Sequence, residues 1–217
     1  EGLLNDDHSK NWQRMSANNR SAIMQEIADD LEKDPYELIY YLMHEAGKTI
    51  QNAVDEIREA VDFLRYYSSE TIQLHQKDNE LEGPTGEINT LSYSEKGHFL
   101  CISPWNFPVA ILIGQISAAL SCGNRVTIKP SEHTSILGFL VVKKFHEHGV
   151  PEEALELVLG DGAYGDVLSK IKTIKGVAFT GSLNTAKKIQ SNLNINHREI
   201  IPLIAETGGI NTMIVDS

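Results

Sequence analysis

Residues 97–132 read GHFLCISPWNFPVAILIGQISAALSCGNRVTIKPSE, and the fold is decided there. From Gly97 to Asn124 there is no Asp, Glu, Lys or Arg. Such a stretch is either buried in protein or buried in lipid. Pro104, Asn106, Pro108, Gln115 and Asn124 interrupt it, and its apolar core at 109–120 is shorter than the ~20 residues a bilayer needs. A buried strand at 97–102, a proline-fixed turn and a buried helix at 109–121 fit it instead. The β-branched run 125–128 then reads as the next strand.

Beyond this segment strands and helices alternate. The pattern predicts helices at 135–148, 164–170 and 184–193, strands at 155–159, 176–180 and 203–206, and a last apolar run at 212–215. Such alternation indicates an α/β fold with a Rossmann-like, doubly wound parallel sheet. Toward the N-terminus the period is helical. Ser16 is a candidate N-cap for a helix carrying Ile23, Ile27 and Leu31, a second helix begins at Asp34-Pro35 and stops at Gly47, and a third carries Ile50 to Leu64. After Glu82-Gly83-Pro84 the period changes, and 87–94 with 97–102 reads as a β-hairpin around Ser94-Glu95-Lys96.

The 217 residues contain 19 Lys+Arg and 30 Asp+Glu, for a net charge of −11, which argues against nucleic-acid or anionic-membrane contact by this segment. Residues 1–80 hold 8 basic and 17 acidic side chains, so most of the excess lies on the N-terminal helices as a solvated face. Two cysteines, Cys101 and Cys122, are too few for a disulfide framework and lack zinc-type spacing, so no metal is expected. With no secretory signal at the start, a cytoplasmic setting is expected.

Five motifs could carry chemistry, each with a plainer reading beside it. Gly160-Asp161-Gly162-Ala163-Tyr164-Gly165 satisfies G-x-G-x-x-G after a strand, but no acidic residue lies between Asp166 and Glu199 to hold a ribose, so a tight turn is equally consistent. Lys129-Pro130-Ser131-Glu132 follows a strand, where Lys129 and Glu132 could grip ribose hydroxyls and Glu132 would repel a 2′-phosphate, or could form an ordinary ion pair. Phe179-Thr180-Gly181-Ser182 leads into a helix whose free N–H groups suit pyrophosphate, although Ser182 also reads as an N-cap. In Pro104-Trp105-Asn106-Phe107-Pro108 the Asn106 amide could donate to an oxyanion or simply satisfy its turn. Glu206-Thr207-Gly208-Gly209 ends a strand with a carboxylate able to act as general base, or merely marks the strand end.

In this order and spacing, PWNFP at 104–108, KPSE at 129–132, FTGS at 179–182 and ETGG at 206–209 resemble the aldehyde dehydrogenase superfamily. Glu45-Ala46-Gly47-Lys48 and Gly149-Val150-Pro151 add to the likeness, which runs from about Trp12 to the last residue. Within the superfamily, Gly83-Pro84-Thr85-Gly86-Glu87, the 101–106 stretch, 202–209 and the closing Met213-Ile214-Val215-Asp216-Ser217 look most like the L-glutamate γ-semialdehyde (pyrroline-5-carboxylate) dehydrogenase domain of bacterial bifunctional proline utilization A proteins.

The resemblance implies oxidation of the semialdehyde to glutamate with NAD⁺ in proline catabolism. Asn106 would belong to the oxyanion hole and Glu206 would be the general base. Lys129 and Glu132 would hold the adenosine ribose with Ser131 as a cofactor contact between them, Gly181 and Ser182 would meet the pyrophosphate, and Gly162 and Gly165 would stand near the adenine. Ile102, Ser103, Pro104 and Trp105 would line the cofactor cleft, with Phe179, Thr180 and Gly208 as further cofactor contacts. It also implies a helical part of the NAD-binding domain at 1–82, an oligomerisation hairpin at 83–100 that would make a homo-oligomer, a Rossmann-like core at 101–206 and the start of a catalytic domain at 207–217. The parent would be cytoplasmic, peripheral at the inner face of the membrane, with FAD in a separate proline dehydrogenase domain. Ser131 stands where Ala is more usual, and Thr207 where Leu is commoner.

The family's cysteine nucleophile is expected farther beyond Glu206 than the 11 residues that remain here. Cys101 and Cys122 are not substitutes, since one lies in a strand and the other ends a buried helix. The chain, which also lacks an initiating Met, therefore reads as a cut piece without turnover of its own. A dehydrogenase for a different aldehyde and a non-catalytic nucleotide-binding module are the alternatives.

Overall fold

The computed structural model describes residues 11–75 and 79–216. Its centre is a five-stranded parallel sheet of β3 (His98–Ile102), β4 (Arg125–Lys129), β5 (Leu155–Leu157), β6 (Ile174–Gly181) and β7 (Leu203–Thr207), in the spatial order β5-β4-β3-β6-β7. The chain steps outward from β3 to β5, then returns to the other side of β3 and continues to β7. The strand order thus reverses between β3 and β6, where ligands of open α/β sheets bind.

Alternation along the strands separates two cores. Cys101, Val126 and Ile128 face a large core shared with α1 (Ala17–Lys33), α2 (Tyr36–His44), α3 (Ile50–Leu74), α4 (Ala110–Ser121) and α5 (Ser135–Glu147). Leu100, Ile102, Val177 and Phe179 face a smaller one with Leu168 of α6 (Gly162–Leu168) and Ala186, Ile189 and Leu193 of α7 (Leu183–Asn196). Nine of the twelve residues of α4, including its leading Ala110, are buried, as an uncharged helix requires. Two contacts tie its C-terminal end to the helical layer: Trp12 Nε1 donates to the Leu120 carbonyl at 3.1 Å, and Arg20 Nε to that of Ser121 at 2.8 Å. Among the described residues no helix is long and apolar enough to cross a membrane.

The expected hairpin between 87–94 and 97–102 does not form. β2 (Asn89–Leu91) pairs antiparallel with β1 (Asn79–Leu81), a strand in a region whose sequence reads as helical. β3 instead pairs in parallel with β4 on one edge and β6 on the other, so no edge remains for β2. Asn124 directs the chain there: its Oδ1 accepts from Lys96 N at 2.8 Å and Gly97 N at 2.9 Å, holding the connection against the start of β4. The apolar run at 212–215 forms no strand, and Met213, Ile214 and Val215 are exposed.

At the head of β3, His98 lies 2.8 Å from Thr127 Oγ1 and 3.3 Å from Thr173 Oγ1. Burial first, and the Arg125 charge second, push its pKa down from 6.5 to about 4. The unfolded chain therefore takes up this proton before the folded one. The stability that neutral His98 confers is complete above pH 6.5 and is lost as pH falls toward 4, an expected decrease of about 3 kcal/mol. Denaturant titrations across this window test it: His98→Gln should flatten the dependence, and an unchanged slope would contradict the assignment.

Candidate cofactor and active site

The parallel register sets the floor of the site. Ile102 lies beside Lys129 of β4 and Phe179 of β6, and one step further Thr180 lies beside Glu206 of β7. A cleft of about 680 Å³ opens at these strand ends. It gathers Ile102, Ser103, Pro104, Trp105 and Asn106 after β3, Lys129, Ser131 and Glu132 after β4, Gly162 at the head of α6, Phe179, Thr180, Gly181 and Ser182 at the end of β6, and Glu206 and Gly208 at the end of β7. His133, Thr185 and Thr207 line it as well. Gly165 does not. It lies on the buried face of α6, where an added Cβ would sit in ordinary contact at 3.8 Å from both Ile102 Cδ1 and Lys129 Cδ.

Lys129 is 3% exposed. Its Nζ donates to the Pro130 carbonyl at 3.0 Å and lies 4.0 Å from Glu132 Oε2, leaving donor capacity directed at the cleft. Burial lowers its pKa, opposed by the nearby charges of Glu132 and Asp161. The Glu132 side chain is about half exposed and free to accept from a ligand. Ser103 Oγ is buried in the cleft wall with no hydrogen-bond partner among the described residues, a donor and acceptor that a bound polar group would satisfy.

Ser182 spends its hydroxyl on capping: Oγ accepts from Thr185 N at 3.2 Å and shares a bond with Thr185 Oγ1 at 2.9 Å. An anion at this helix start would therefore be held mainly by backbone N–H groups. The chain must approach closely here, because a Cβ on Gly181 would meet the Phe179 ring at 2.7 Å. At the G-x-G-x-x-G segment, Asp161 caps α6 by accepting from Ala163 N at 2.9 Å, so the segment is a capped strand-to-helix turn with Gly162 in the cleft wall. Asn106 is exposed in the turn between β3 and α4. Glu206 lies where the cleft meets a second, apolar groove of about 560 Å³ on the other face of the sheet, lined by Phe63, Phe99, Ala178 and Ile204.

Gln115 bridges the two central strands: its Nε2 lies 3.3 Å from the Ile102 carbonyl and 3.3 Å from Thr180 Oγ1. In sequence its one signal is being a long polar side chain in a helix of apolar residues, glycine and two serines. Among the described residues no group of three or more His, Cys, Asp and Glu is arranged to hold a metal ion.

A buried lysine paired with a half-exposed carboxylate, a helix start and a hydroxyl unpartnered among the described residues stand together at a strand-order reversal, the place where open α/β sheets bind ligands. The Aldehyde dehydrogenase family model matches residues 5–217, and the chain belongs to that family. It is 42% identical to the bifunctional protein PutA of Salmonella typhimurium over 95% of this chain and 15% of that protein. To the 1-pyrroline-5-carboxylate dehydrogenase of Oceanobacillus iheyensis it is 33% identical, over 95% of this chain and 41% of that one. Among solved structures, a mutant of Bradyrhizobium japonicum proline utilization A superposes with a TM-score of 0.90 at 44% identity, covering 94% of this chain and 21% of that one. The 1-pyrroline-5-carboxylate dehydrogenase of Thermus thermophilus gives 0.86 at 31% identity, covering 93% and 40%. The chain thus spans about two fifths of the shorter relatives and a much smaller part of the bifunctional ones.

Neither cysteine lines the cleft, although Cys122 borders the apolar groove that meets it at Glu206. Cys101 is fully buried, its Sγ 3.8 Å from the Gln115 carbonyl, and burial pushes its pKa from 9.0 to about 12, a thiolate population roughly a thousandfold smaller. Cys122 ends α4, with its Sγ 3.6 Å from Thr71 Oγ1. Cys101 should resist maleimide labelling in the native protein and react only on unfolding. Peptide mapping checks this, and labelling of Cys101 at the rate of an exposed thiol would contradict its placement.

Proposed function

We propose that this chain is the NAD⁺-binding part of a dehydrogenase that oxidises L-glutamate γ-semialdehyde to L-glutamate in proline catabolism. The observation that carries this reading is the convergence of Lys129, Glu132, the start of α7, Asn106 and Glu206 on one cleft. Family membership and the names of the relatives support the reaction class and the substrate.

NAD⁺, when bound, accepts the hydride. Lys129 and Glu132 hold the adenosine ribose through charge-assisted hydrogen bonds. The backbone after Gly181 receives the pyrophosphate, and Ser103 Oγ meets a polar group of the cofactor inside the wall. Asn106 donates its side-chain amide to the oxygen that becomes negative when a thiolate adds to the aldehyde carbon. Glu206 takes a proton from the water that releases the acid. In this reading neither cysteine of the chain supplies the thiolate, since Cys101 is buried and Cys122 does not line the cleft. This polypeptide alone therefore gives no turnover.

The β1–β2 ribbon leaves Leu81, Ile88, Leu91 and Tyr93 exposed and supports assembly into a homo-oligomer through this segment. Ile88→Asp with Leu91→Asp should shift the full-length protein to a smaller species in sedimentation, and an unchanged sedimentation profile would count against that interface.

NADH formation from the semialdehyde by the full-length protein tests the function. Asn106→Ala should lower kcat by ~10²–10³-fold, the range for loss of one oxyanion donor. Glu206→Gln should leave a pre-steady-state burst of NADH while abolishing steady turnover. Wild-type turnover of either variant would overturn the roles assigned here.

A further inference from the structure

Glu45-Ala46-Gly47-Lys48 lies in the helical layer and lines none of the cleft, yet both of its charged side chains reach helices that begin there. At the end of α2 the chain turns through Gly47, whose φ of +69° is in the left-handed region, and Lys48 N bonds back to the Leu42 carbonyl at 3.0 Å. The two charges then face different helices.

Glu45 caps α5. Its Oε1 accepts from Ile136 N at 2.8 Å and its Oε2 from Leu137 N at 2.9 Å, two of the donors that a helix start leaves unpaired. Thr134, the N-cap residue of that helix, makes no side-chain cap of its own. The 3₁₀ turn Glu132–Thr134 runs directly into α5, so anchoring the helix start anchors the loop carrying Ser131 and Glu132.

Lys48 acts on α4 through Glu56. Glu56 is 1% exposed, and its Oε1 accepts from Val109 N at 2.8 Å and Ala110 N at 3.2 Å. Val109 cannot cap with its own side chain. A carboxylate buried so deeply needs a counter-charge, and Lys48 Nζ supplies it at 2.5 Å from Glu56 Oε2. The same Nζ stands 4.0 Å from the centroid of the Phe107 ring, a cation–π contact on the residue after Asn106. Asn106 therefore has on its C-terminal side a clamped ring at 107 and a capped backbone at 109 and 110.

We infer that Glu45 and Lys48 are positioning residues that set two walls of the cleft from one short turn, Glu45 fixing the Ser131–Glu132 loop and Lys48 fixing the Asn106 turn. This rests on the reading of Asn106 and Glu132 proposed above. It separates two kinetic parameters that general destabilisation would not separate.

The test uses the full-length enzyme, with kcat, NAD⁺ KM and thermal midpoint measured for Glu45→Gln, Lys48→Met and Lys48→Arg. Lys48→Met should lower kcat by about tenfold or more, as displacement of a reacting group by a fraction of an ångström does, with NAD⁺ KM within about twofold. Lys48→Arg, which keeps the charge and the ring contact, should recover most of kcat. Glu45→Gln should raise NAD⁺ KM by about fivefold with kcat little changed, since one amide oxygen replaces two carboxylate oxygens. Lower thermal midpoints with kcat and KM unchanged per folded enzyme, or equal losses in both parameters for both positions, would overturn the inference. If Lys48→Met does not fold, failure of Lys48→Arg to keep kcat near wild type while Glu45→Gln leaves KM unchanged would overturn it. Asn106→Ala and Glu132→Gln run beside these variants: if the first leaves kcat intact or the second leaves KM intact, the reading of the cleft fails instead.

Discussion

Both edges of β3 are taken. Its five residues bond in parallel to β4 on one side and β6 on the other, and from that pairing the geometry of the cleft follows. The chain leaving β3 emerges between the loops that leave β4 and β6, so Asn106, Lys129 and the start of α7 are brought together by register. The same pairing excludes β2 from the sheet and leaves it to pair with β1. Asn124 and Gln115 brace this strand from its two ends, one at the turn that feeds it and the other at the carbonyl of Ile102.

Buried charge is the second organising feature. Glu56, Arg20 and Lys129 are each almost inaccessible, and each is offset by specific partners. Arg20 donates to the Ser121 carbonyl at the end of α4, and Glu56 accepts from backbone N–H groups at its start. The uncharged helix of the central segment is thus held at both ends by charges from the N-terminal layer. That layer carries most of the acidic excess of the chain and has a more specific task than solvation alone. Burial lowers the pKa of Lys129 as it does that of Arg20, but Lys129 lines the cleft with donor capacity to spare. A cation kept partly unpaired beside a half-exposed carboxylate supports the proposed binding role over an ordinary ion pair.

Much of this was legible in the sequence because the site is built from contiguous motifs that each sit where a strand ends. A strand's end can be read from composition, and Lys129 to Glu132, Phe179 to Ser182 and Glu206 to Gly208 follow such ends directly. What could not be read depends on contacts between distant residues. The pairing of β1 with β2 was hidden because β1 is three residues long and lacks a strand pattern. Gly165 belongs to a motif that places it by analogy at the ligand, whereas helix packing puts it behind the wall. Ser182 illustrates the competition within one side chain, its hydroxyl being taken by the cap before any ligand arrives. Glu45 and Glu56 cap helices 91 and 53 residues further along the chain, and no local pattern reveals a cap supplied from so far away.

We propose that the cleft beside β3 and β4 holds the adenosine end of NAD⁺ with Glu132 facing the ribose hydroxyls. A carboxylate in that position would repel a 2′-phosphate, and on this proposal Glu132 would set cofactor choice as well as affinity. Calorimetric titration of the full-length protein with NAD⁺ and with NADP⁺, repeated on Glu132→Gln, measures this directly. Tighter binding of NAD⁺ by about tenfold or more, with the difference narrowed in the variant, is the expected result. Equal affinities in the wild type, or a preference untouched by Glu132→Gln, would contradict it.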